Sequence, residues 1–72
     1  MTTLEQDVIH FIVSSRFDRI SVSISHIERK FVHKNFGNGW KLYLDEMVSS
    51  GLITLDPYEG YMVTTKGLRG VS

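Results

Sequence analysis

The chain has 72 residues, of which 42% are hydrophobic and none is cysteine, and its eight basic and eight acidic residues give zero net charge. This length fits one domain, residues 1–72, and the hydrophobic content predicts a packed rather than a disordered chain. The lack of cysteine excludes disulfides and thiolate metal sites. The N-terminus does not resemble a signal peptide, and no apolar run reaches the ~20 residues of a membrane span. We therefore expect a cytoplasmic protein without a membrane partner.

The charges are unevenly distributed along the sequence. Residues 16–41 hold six basic and two acidic residues, a local balance of +4, whereas residues 42–60 hold four acidic residues and no basic one. Zero net charge argues against simple nucleic-acid binding, where a basic surplus is usual. An uneven distribution can still turn one positive face toward phosphates. The alternative is that mixed charges only keep a small domain soluble.

The first predicted element is a helix from Leu4 to near Phe17. Thr3 is the expected N-cap, and acidic residues follow in the first turn, where the helix dipole favours them. The apolar stripe at helical spacing comprises Leu4, Val8, Phe11, Ile12 and Ser15, widened by Ile9 and Val13. After this helix, the alternating run Arg19–Ile24 predicts a brief strand.

A second helix is expected next, with Ser23 or Ser25 as its N-cap. Ser25 and Glu28 have the spacing of a capping box. The apolar face comprises Ile24, Ile27, Phe31 and Val32, and the exposed face carries His26, Arg29, Lys30 and Lys34. Residues 35–39, Asn-Phe-Gly-Asn-Gly, have the composition of a turn.

The third predicted helix runs from about Asn38 to Ser50. Its core stripe comprises Trp40, Tyr43, Leu44, Met47 and Val48. Gly51 suits the left-handed conformation that closes a helix. Two strands, Leu52–Leu55 and Tyr61–Thr64, are separated by the turn residues Asp56–Gly60.

The predicted order is therefore α-β-α-α-β-β. We interpret it as an α+β fold of the winged-helix type, with three helices and a small antiparallel sheet whose β-hairpin is the wing. The helix, short turn and second helix between Ser23 and Ile53 have the arrangement that presents a recognition helix to a DNA major groove.

The residues of this stretch resemble a known family. Ser23 and Ser25, Arg29, Phe31, Asn38, Met47 and the run Gly51-Leu52-Ile53 look like the gamma domain of the bacterial chromosome-segregation DNA translocase, a winged helix that reads short orientation sequences on DNA. The likeness covers roughly residues 4–54. It implies a winged helix-turn-helix domain that binds double-stranded DNA.

The last segment, Gly60–Leu68, instead resembles the wing exit of MarR- and PadR-type regulators, where a Thr-x-Lys-Gly sequence opens a dimerisation helix. Three departures from these families stand out. The turn between helices two and three is longer, Gly39 and Leu42 stand where the translocase domain offers arginines, and we expect the regulators' dimerisation helix to be missing.

Eight residues are candidates for DNA contact. Direct readout of bases uses Arg, Lys, Asn or Gln, and phosphates are bound by cations and helix N-termini. The candidates are Arg29, Lys30, Lys34, Asn35, Asn38, Lys41, Lys66 and Arg69. Competing interpretations are that Asn38 is only an N-cap and that Lys41 is only a solvated lysine. Asp45 is a weaker candidate as a cytosine acceptor, and the acidic residues Asp56 and Glu59 beside Tyr58 would be repelled by a minor groove.

No catalytic or cofactor site is expected. The three histidines lack metal-ligand spacing, and no serine lies in a nucleophile motif. Gly37-x-Gly39 lacks the remainder of a nucleotide-binding fingerprint. The spacing of Phe31, Trp40 and Tyr43 favours core packing over a stacking platform for single strands, whereas Phe36 in the turn is expected to be exposed.

Two functions follow from these patterns. The first is a small sequence-specific DNA-binding protein, a transcriptional or replication regulator from a bacterium, phage or plasmid, that binds as a homodimer or in tandem. The second is a protein-interaction module, for example a phage protein that binds a host protein through the acidic surfaces around Asp45-Glu46 and Asp56–Glu59.

Overall fold

The structure, a computed structural model, describes residues 1–34 and 39–71 as an α+β fold of four helices and one antiparallel hairpin. The elements are α1 (Thr3–Phe17), α2 (Ile24–Lys30), α3 (Gly39–Ser49), β1 (Ile53–Asp56), β2 (Gly60–Val63) and α4 (Thr65–Val71). Within this part of the chain, no helix is both long and apolar enough to cross a membrane.

The core lies between α1 and α3, and the hairpin closes one side of it. Each of these two helices places three buried side chains in a single cluster, as their apolar spacing predicts. The buried residues are Val8, Ile9, Ile12, Val22, Ile27, Phe31, Trp40, Leu44, Met47, Leu52, Ile53 and Tyr61. The hairpin joins the two helices, because β2 packs on α1 and β1 packs on α3.

Helix α1 begins one residue earlier than the sequence predicts. Thr2, not Thr3, is the N-cap: its hydroxyl accepts the Glu5 N–H at 3.1 Å, and the Glu5 carboxylate accepts the Thr2 N–H at 2.8 Å. This reciprocal pair is a capping box, and Glu5 stands three residues after Thr2 as that motif requires. The predicted end at Phe17 is confirmed.

The predicted strand Arg19–Ile24 is wrong as an extended element, because only Val22 forms a bridge, to Gly60 of the hairpin. The Arg19 and Ile20 N–H groups bond back to α1 carbonyls at 2.9 Å each, so they cannot join a sheet ladder. The bridge is reinforced by a 2.9 Å bond from the Tyr61 N–H to the Val22 carbonyl. One bridge therefore ties the hairpin to the segment before α2.

Helix α2 is capped by Ser23, which decides between the two serines. The Ser23 N–H donates to Nδ1 of His26 at 3.1 Å, and the Ser23 hydroxyl lies 2.9 Å from the same nitrogen. The predicted capping box of Ser25 and Glu28 is therefore wrong, and an imidazole takes the place of the carboxylate three residues after the cap. Val32, expected on the apolar face, is exposed, because α2 ends at Lys30 and no longer directs it to the core.

Helix α3 begins at Gly39 among the described residues; the predicted start at Asn38 and the turn residues 35–38 lie outside them. The predicted stripe is confirmed at Trp40, Leu44 and Met47, whereas Val48 is exposed at the edge of the buried face. Gly51 closes the helix at φ 80°, with its N–H bonded to the Val48 carbonyl and the Leu52 N–H to the Met47 carbonyl. This pair of bonds is a Schellman motif, as the glycine predicts.

The hairpin matches its prediction to within one residue at each end. Ile53 pairs with Val63 and Asp56 with Gly60 in an antiparallel register. The Asp56 carboxylate accepts the N–H groups of Tyr58 and Glu59 at 2.8 and 2.9 Å, which holds the turn. An aspartate that opens a turn in this way is the chemistry expected of such a sequence.

Helix α4 has no counterpart in the predicted order. Thr64 precedes it, and the Thr64 hydroxyl accepts the Gly67 N–H at 3.1 Å, as an N-cap does. The Thr64 hydroxyl also donates to the carbonyls of Gly51 and Leu52, so the cap is bound to the end of α3. Because α4 is only seven residues long and contains two glycines, its stability depends on this tertiary contact rather than on helix propensity.

Candidate nucleic-acid interface

Six of the eight predicted DNA-contact residues are described by the structure, and all six are exposed. They are Arg29, Lys30, Lys34, Lys41, Lys66 and Arg69. Asn35 and Asn38 lie outside the described residues, as does Phe36. The six exposed cations do not form one continuous strip. They are distributed along α3, at its two ends, and over the groove beside α1.

The outward face of α3 carries one cation and two acids. Its exposed residues are Lys41, Leu42, Asp45, Glu46 and Ser49. The Lys41 ammonium lies 3.4 Å from the Asp45 carboxylate one turn on, and both side chains are more than half exposed. This i,i+4 pair is weak, worth roughly 0.3–0.5 kcal/mol, so a phosphate could compete for Lys41. The face nevertheless offers few groups that could read bases.

Two cations lie near the N-terminal end of α3. Phe31 follows α2 directly, and its ring centroid is 5.7 Å from that of Trp40 in the first turn of α3. Arg29 precedes Phe31 by two residues, and the backbone N–H of Lys34 bonds to the Phe31 carbonyl at 2.8 Å. Neither Arg29 nor Lys34 has a carboxylate partner among the described residues. Within the described part of the chain, therefore, no carboxylate competes with an anion for either charge.

Lys30 is placed differently from its neighbours. It lines a groove of about 480 Å³ between α1 and the end of α2, together with Asp7, His10 and His33. The rings of Phe11 and Phe31 meet edge to face at 5.9 Å and form the floor of this groove. Lys30 is therefore directed toward α1, and it is the weakest of the described DNA-contact predictions.

Lys66 and Arg69 lie at the opposite end of α3. The Lys66 ammonium donates to the Ser50 carbonyl at 2.8 Å, just beyond the last turn of α3. Arg69, one turn further along α4, lines a groove with Ser50 and Lys66. An eleven-residue helix is roughly 16 Å long, so α3 separates these two cations from Arg29 and Lys34 by about that length. Lys66 also neutralises the negative end of the α3 dipole.

The hairpin turn is less acidic than the sequence suggests. The Arg16 guanidinium lies 2.7 Å from the Glu59 carboxylate and also donates to the Glu59 carbonyl at 3.2 Å. The N–H groups of Glu59 and Tyr58 lower the pKa of the Asp56 carboxyl below the ordinary 3.8, so this second acid stays charged. Tyr58 is 90% exposed at the tip. Sequence reasoning missed Arg16 here, since 43 residues separate it from Glu59.

The hairpin and α3 meet at Tyr61. Burial raises the pKa of the Tyr61 hydroxyl, the nearby Asp45 carboxylate raises it further, and the Lys41 ammonium opposes the rise. Leu55 is the cross-strand partner of Tyr61 and is 56% exposed on the same side of the hairpin. Leu55 therefore lies beside the acidic side of α3, a proximity that the sequence did not indicate.

Two further features of the described part of the chain concern metal binding and stacking on bases. No group of three or more histidine or acidic side chains there could hold a metal ion. Trp40 and Phe31 are 3% and 6% exposed, which agrees with core packing rather than stacking on bases.

Comparison with known proteins gives no match, so a functional assignment depends on the geometry of α3 and its surroundings. No protein-family model, no curated protein and no solved structure matches the chain.

Proposed function

We propose that this chain is a winged helix-turn-helix domain that binds double-stranded DNA, with α3 directed toward the major groove, and that it acts as a regulator of transcription or replication. One observation carries the proposal. Exposed cations lie beyond both ends of α3: Arg29 and Lys34 flank Phe31, which packs on Trp40 in its first turn, and Lys66 and Arg69 lie beside Ser50 after its last turn. Cations so placed suit the phosphates on either side of a groove about 12 Å wide.

The element order supports the winged-helix part of the proposal. The hairpin follows α3 directly, and the bridge between Val22 and Gly60 lies where a winged helix has its short first strand. The burial of Trp40, Leu44 and Met47 holds α3 on the core by one face only. Its opposite face is thereby left to solvent, as a recognition helix requires.

The composition of the exposed face of α3 indicates how the binding free energy would be divided between phosphate contacts and base contacts. Lys41 is paired with Asp45, and Leu42 and Glu46 offer no donors to base edges. Most of the affinity would therefore come from phosphates, which makes it strongly dependent on salt and only weakly dependent on sequence.

The test is fluorescence anisotropy of a labelled random-sequence duplex, titrated with the protein at several salt concentrations. The double variant Arg29→Ala/Lys34→Ala removes two exposed cations without touching the core. We expect its plot of log affinity against log salt to be shallower by roughly 2, since each phosphate contact contributes about 0.9 to the slope. The matched control Arg29→Lys/Lys34→Arg keeps both charges and should keep the wild-type slope.

Two results would contradict the proposal. One is the absence of any duplex binding at low salt. The other is binding whose salt slope is the same in the alanine variant, the control and the wild type, because the two cations would then take no part.

A second function, a protein-interaction module, is favoured by a different observation. Leu42 is 69% exposed one turn before Glu46 on α3, and Leu55 is 56% exposed opposite Tyr61, whose hydroxyl lies near Asp45. Exposed apolar side chains rimmed by acids suit a basic amphipathic partner. Leu42→Ala should then weaken capture of a stoichiometric partner, while Arg29→Ala/Lys34→Ala should not; DNA binding predicts the reverse ranking.

A further inference from the structure

Arg16 of α1 opposes both acids of the hairpin turn. Its guanidinium lies 2.7 Å from the Glu59 carboxylate and donates to the Glu59 carbonyl at 3.2 Å. Its charge also adds to the backbone N–H groups of the turn in lowering the pKa of the Asp56 carboxyl. The turn together with Arg16 therefore carries one net negative charge instead of two. The exposed Asp18 and Arg19 that follow α1 are of opposite sign and leave this balance unchanged.

Arg16 is placed for this contact by its own helix. It lies in the last turn of α1, where the negative end of the helix dipole favours a cation. It lines an apolar groove with Ile12 and Met62, and its side chain is 29% exposed, against 54% for that of Glu59. An arginine whose aliphatic stem packs on apolar surface loses little freedom when its rigid fork pairs. The charge of Glu59 is therefore neutralised in a fixed geometry.

The hairpin turn lies close to the exposed face of α3. Burial raises the pKa of the Tyr61 hydroxyl most, and two charges on that face also act on it: the Asp45 carboxylate raises it and the Lys41 ammonium lowers it. Glu59 precedes Tyr61 by two residues, roughly 7 Å along an extended chain. Charges in water act over about 10 Å at 0.1 M salt. An anion bound at Lys41 is therefore within electrostatic reach of Glu59.

We propose that Arg16 raises the affinity of this chain for a DNA duplex by cancelling the charge of Glu59 in the turn beside α3. The inference rests on the DNA binding proposed above and adds to it a residue outside α3 and its flanking cations. Without Arg16, the turn would present two carboxylates toward the phosphates around α3, and like charges repel. Arg16 acts through Glu59 and is not itself a phosphate contact.

Two substitutions that break the same ion pair test the proposal, because they change the charge of the turn in opposite directions. The probe is the labelled random-sequence duplex, titrated at about 0.1 M salt. Arg16→Gln should raise the dissociation constant about threefold, and Glu59→Gln should lower it about threefold, the effect of one unit charge on one or two phosphates about 10 Å away. Loss of a purely structural contact would instead weaken binding in both variants.

Two further variants are the matched controls. Arg16→Gln/Glu59→Gln lacks the ion pair but keeps the net charge of the turn, so its dissociation constant should lie within about twofold of the wild-type value. Arg16→Lys keeps the charge without the fork and should do the same. Far-ultraviolet circular dichroism checks that each variant is folded. Glu59→Gln leaves Arg16 in its groove and carries the test by itself if Arg16→Gln is unfolded.

The outcomes separate this inference from the proposed function. A wild type that binds no duplex would overturn both. Binding that Arg29→Ala/Lys34→Ala weakens, but that the Arg16 and Glu59 variants leave unchanged, would overturn this inference alone. Weaker binding in both single variants, or a double variant as weak as Arg16→Gln, would show that the ion pair matters for structure and would overturn its electrostatic role.

Discussion

At the level of single residues, α1 and α3 end in the same backbone geometry with different side chains. Gly51 follows α3 at φ 80°, and Arg19 follows α1 at φ 62°. In both places the N–H of this residue and the N–H of the next residue bond to carbonyls in the last turn of the helix, which is the Schellman arrangement. Arg19 adopts a conformation that costs an L-residue roughly 1–2 kcal/mol, whereas glycine adopts it freely.

Arg19→Gly should therefore stabilise the protein. The relief of roughly 1–2 kcal/mol is partly offset by the greater freedom of glycine in the unfolded chain, about 0.5–1 kcal/mol, so the net gain should be about 0.5–1 kcal/mol. Urea denaturation measures it. A destabilised Arg19→Gly variant would show that the arginine side chain contributes more stability than its backbone conformation costs.

The converse substitution, Gly51→Ala, should destabilise the protein by about 1 kcal/mol. A Cβ at this position meets only Lys66, at an ordinary 3.6 Å, so the cost is that of the backbone conformation alone.

At the level of elements, α4 and the end of α3 stabilise each other. Thr64 and Lys66 donate to the carbonyls of Ser50, Gly51 and Leu52, which the last turn of α3 and the chain after it leave without helical partners. Gly67 permits the close approach, because a Cβ at that position would overlap the Leu52 carbonyl oxygen. Helix α4 therefore acts as the tertiary cap of α3, which gives Lys66 a structural role besides any contact with phosphate.

Thr64→Val should lower the free energy of unfolding by roughly 1–3 kcal/mol, because an isosteric methyl group replaces a hydroxyl that joins Gly51, Leu52 and Gly67. Thermal denaturation followed by circular dichroism provides the measurement. Thr65→Val is the control: the same replacement one residue later, at an exposed side chain, should change stability by less than about 0.5 kcal/mol. Equal effects of the two substitutions would show that the cap contributes nothing.

For the whole molecule, stability depends on one core shared by α1, α3 and the hairpin. A chain of this length has a total stability on the order of 4–11 kcal/mol, so a single core side chain is a large part of it. Leu44 is fully buried in that core, whereas Leu42, two residues earlier on the same helix, is 69% exposed. The two leucines separate the folding role of α3 from the binding role that we propose for it.

Leu44→Ala should cost roughly 2–5 kcal/mol, through lost burial and the cavity that remains. Leu42→Ala should change stability by no more than about 0.5 kcal/mol, because its side chain stays in solvent in both states. Denaturant unfolding of the two variants tests this difference. Similar losses would mean that α3 is not held on the core by the face that Trp40, Leu44 and Met47 form.

The sequence by itself determined the features that depend on neighbours a few residues apart. The periodicity of apolar residues located three helices, Gly51 predicted the end of α3, and the residues from Asp56 to Gly60 predicted the hairpin turn. The pairing of Lys41 with Asp45 is also local, since i,i+4 residues meet on a helix, but it was not among the predictions. Errors at this scale were small: a cap displaced by one residue at Thr2, and His26 rather than Glu28 as the partner of a cap.

Only the tertiary structure decided which distant groups meet. Only one bridge remains of the strand predicted before α2, because the N–H groups of Arg19 and Ile20 bond to carbonyls in the last turn of α1. The tertiary structure paired Arg16 with Glu59 and made a helix of α4, whose short and glycine-containing sequence has little helical preference. It also separated the cations of one sequence region, with Lys30 facing α1 and Arg29 and Lys34 near α3. Local propensity acts within about one helical turn, whereas these contacts depend on how the core brings together elements that lie far apart in the chain.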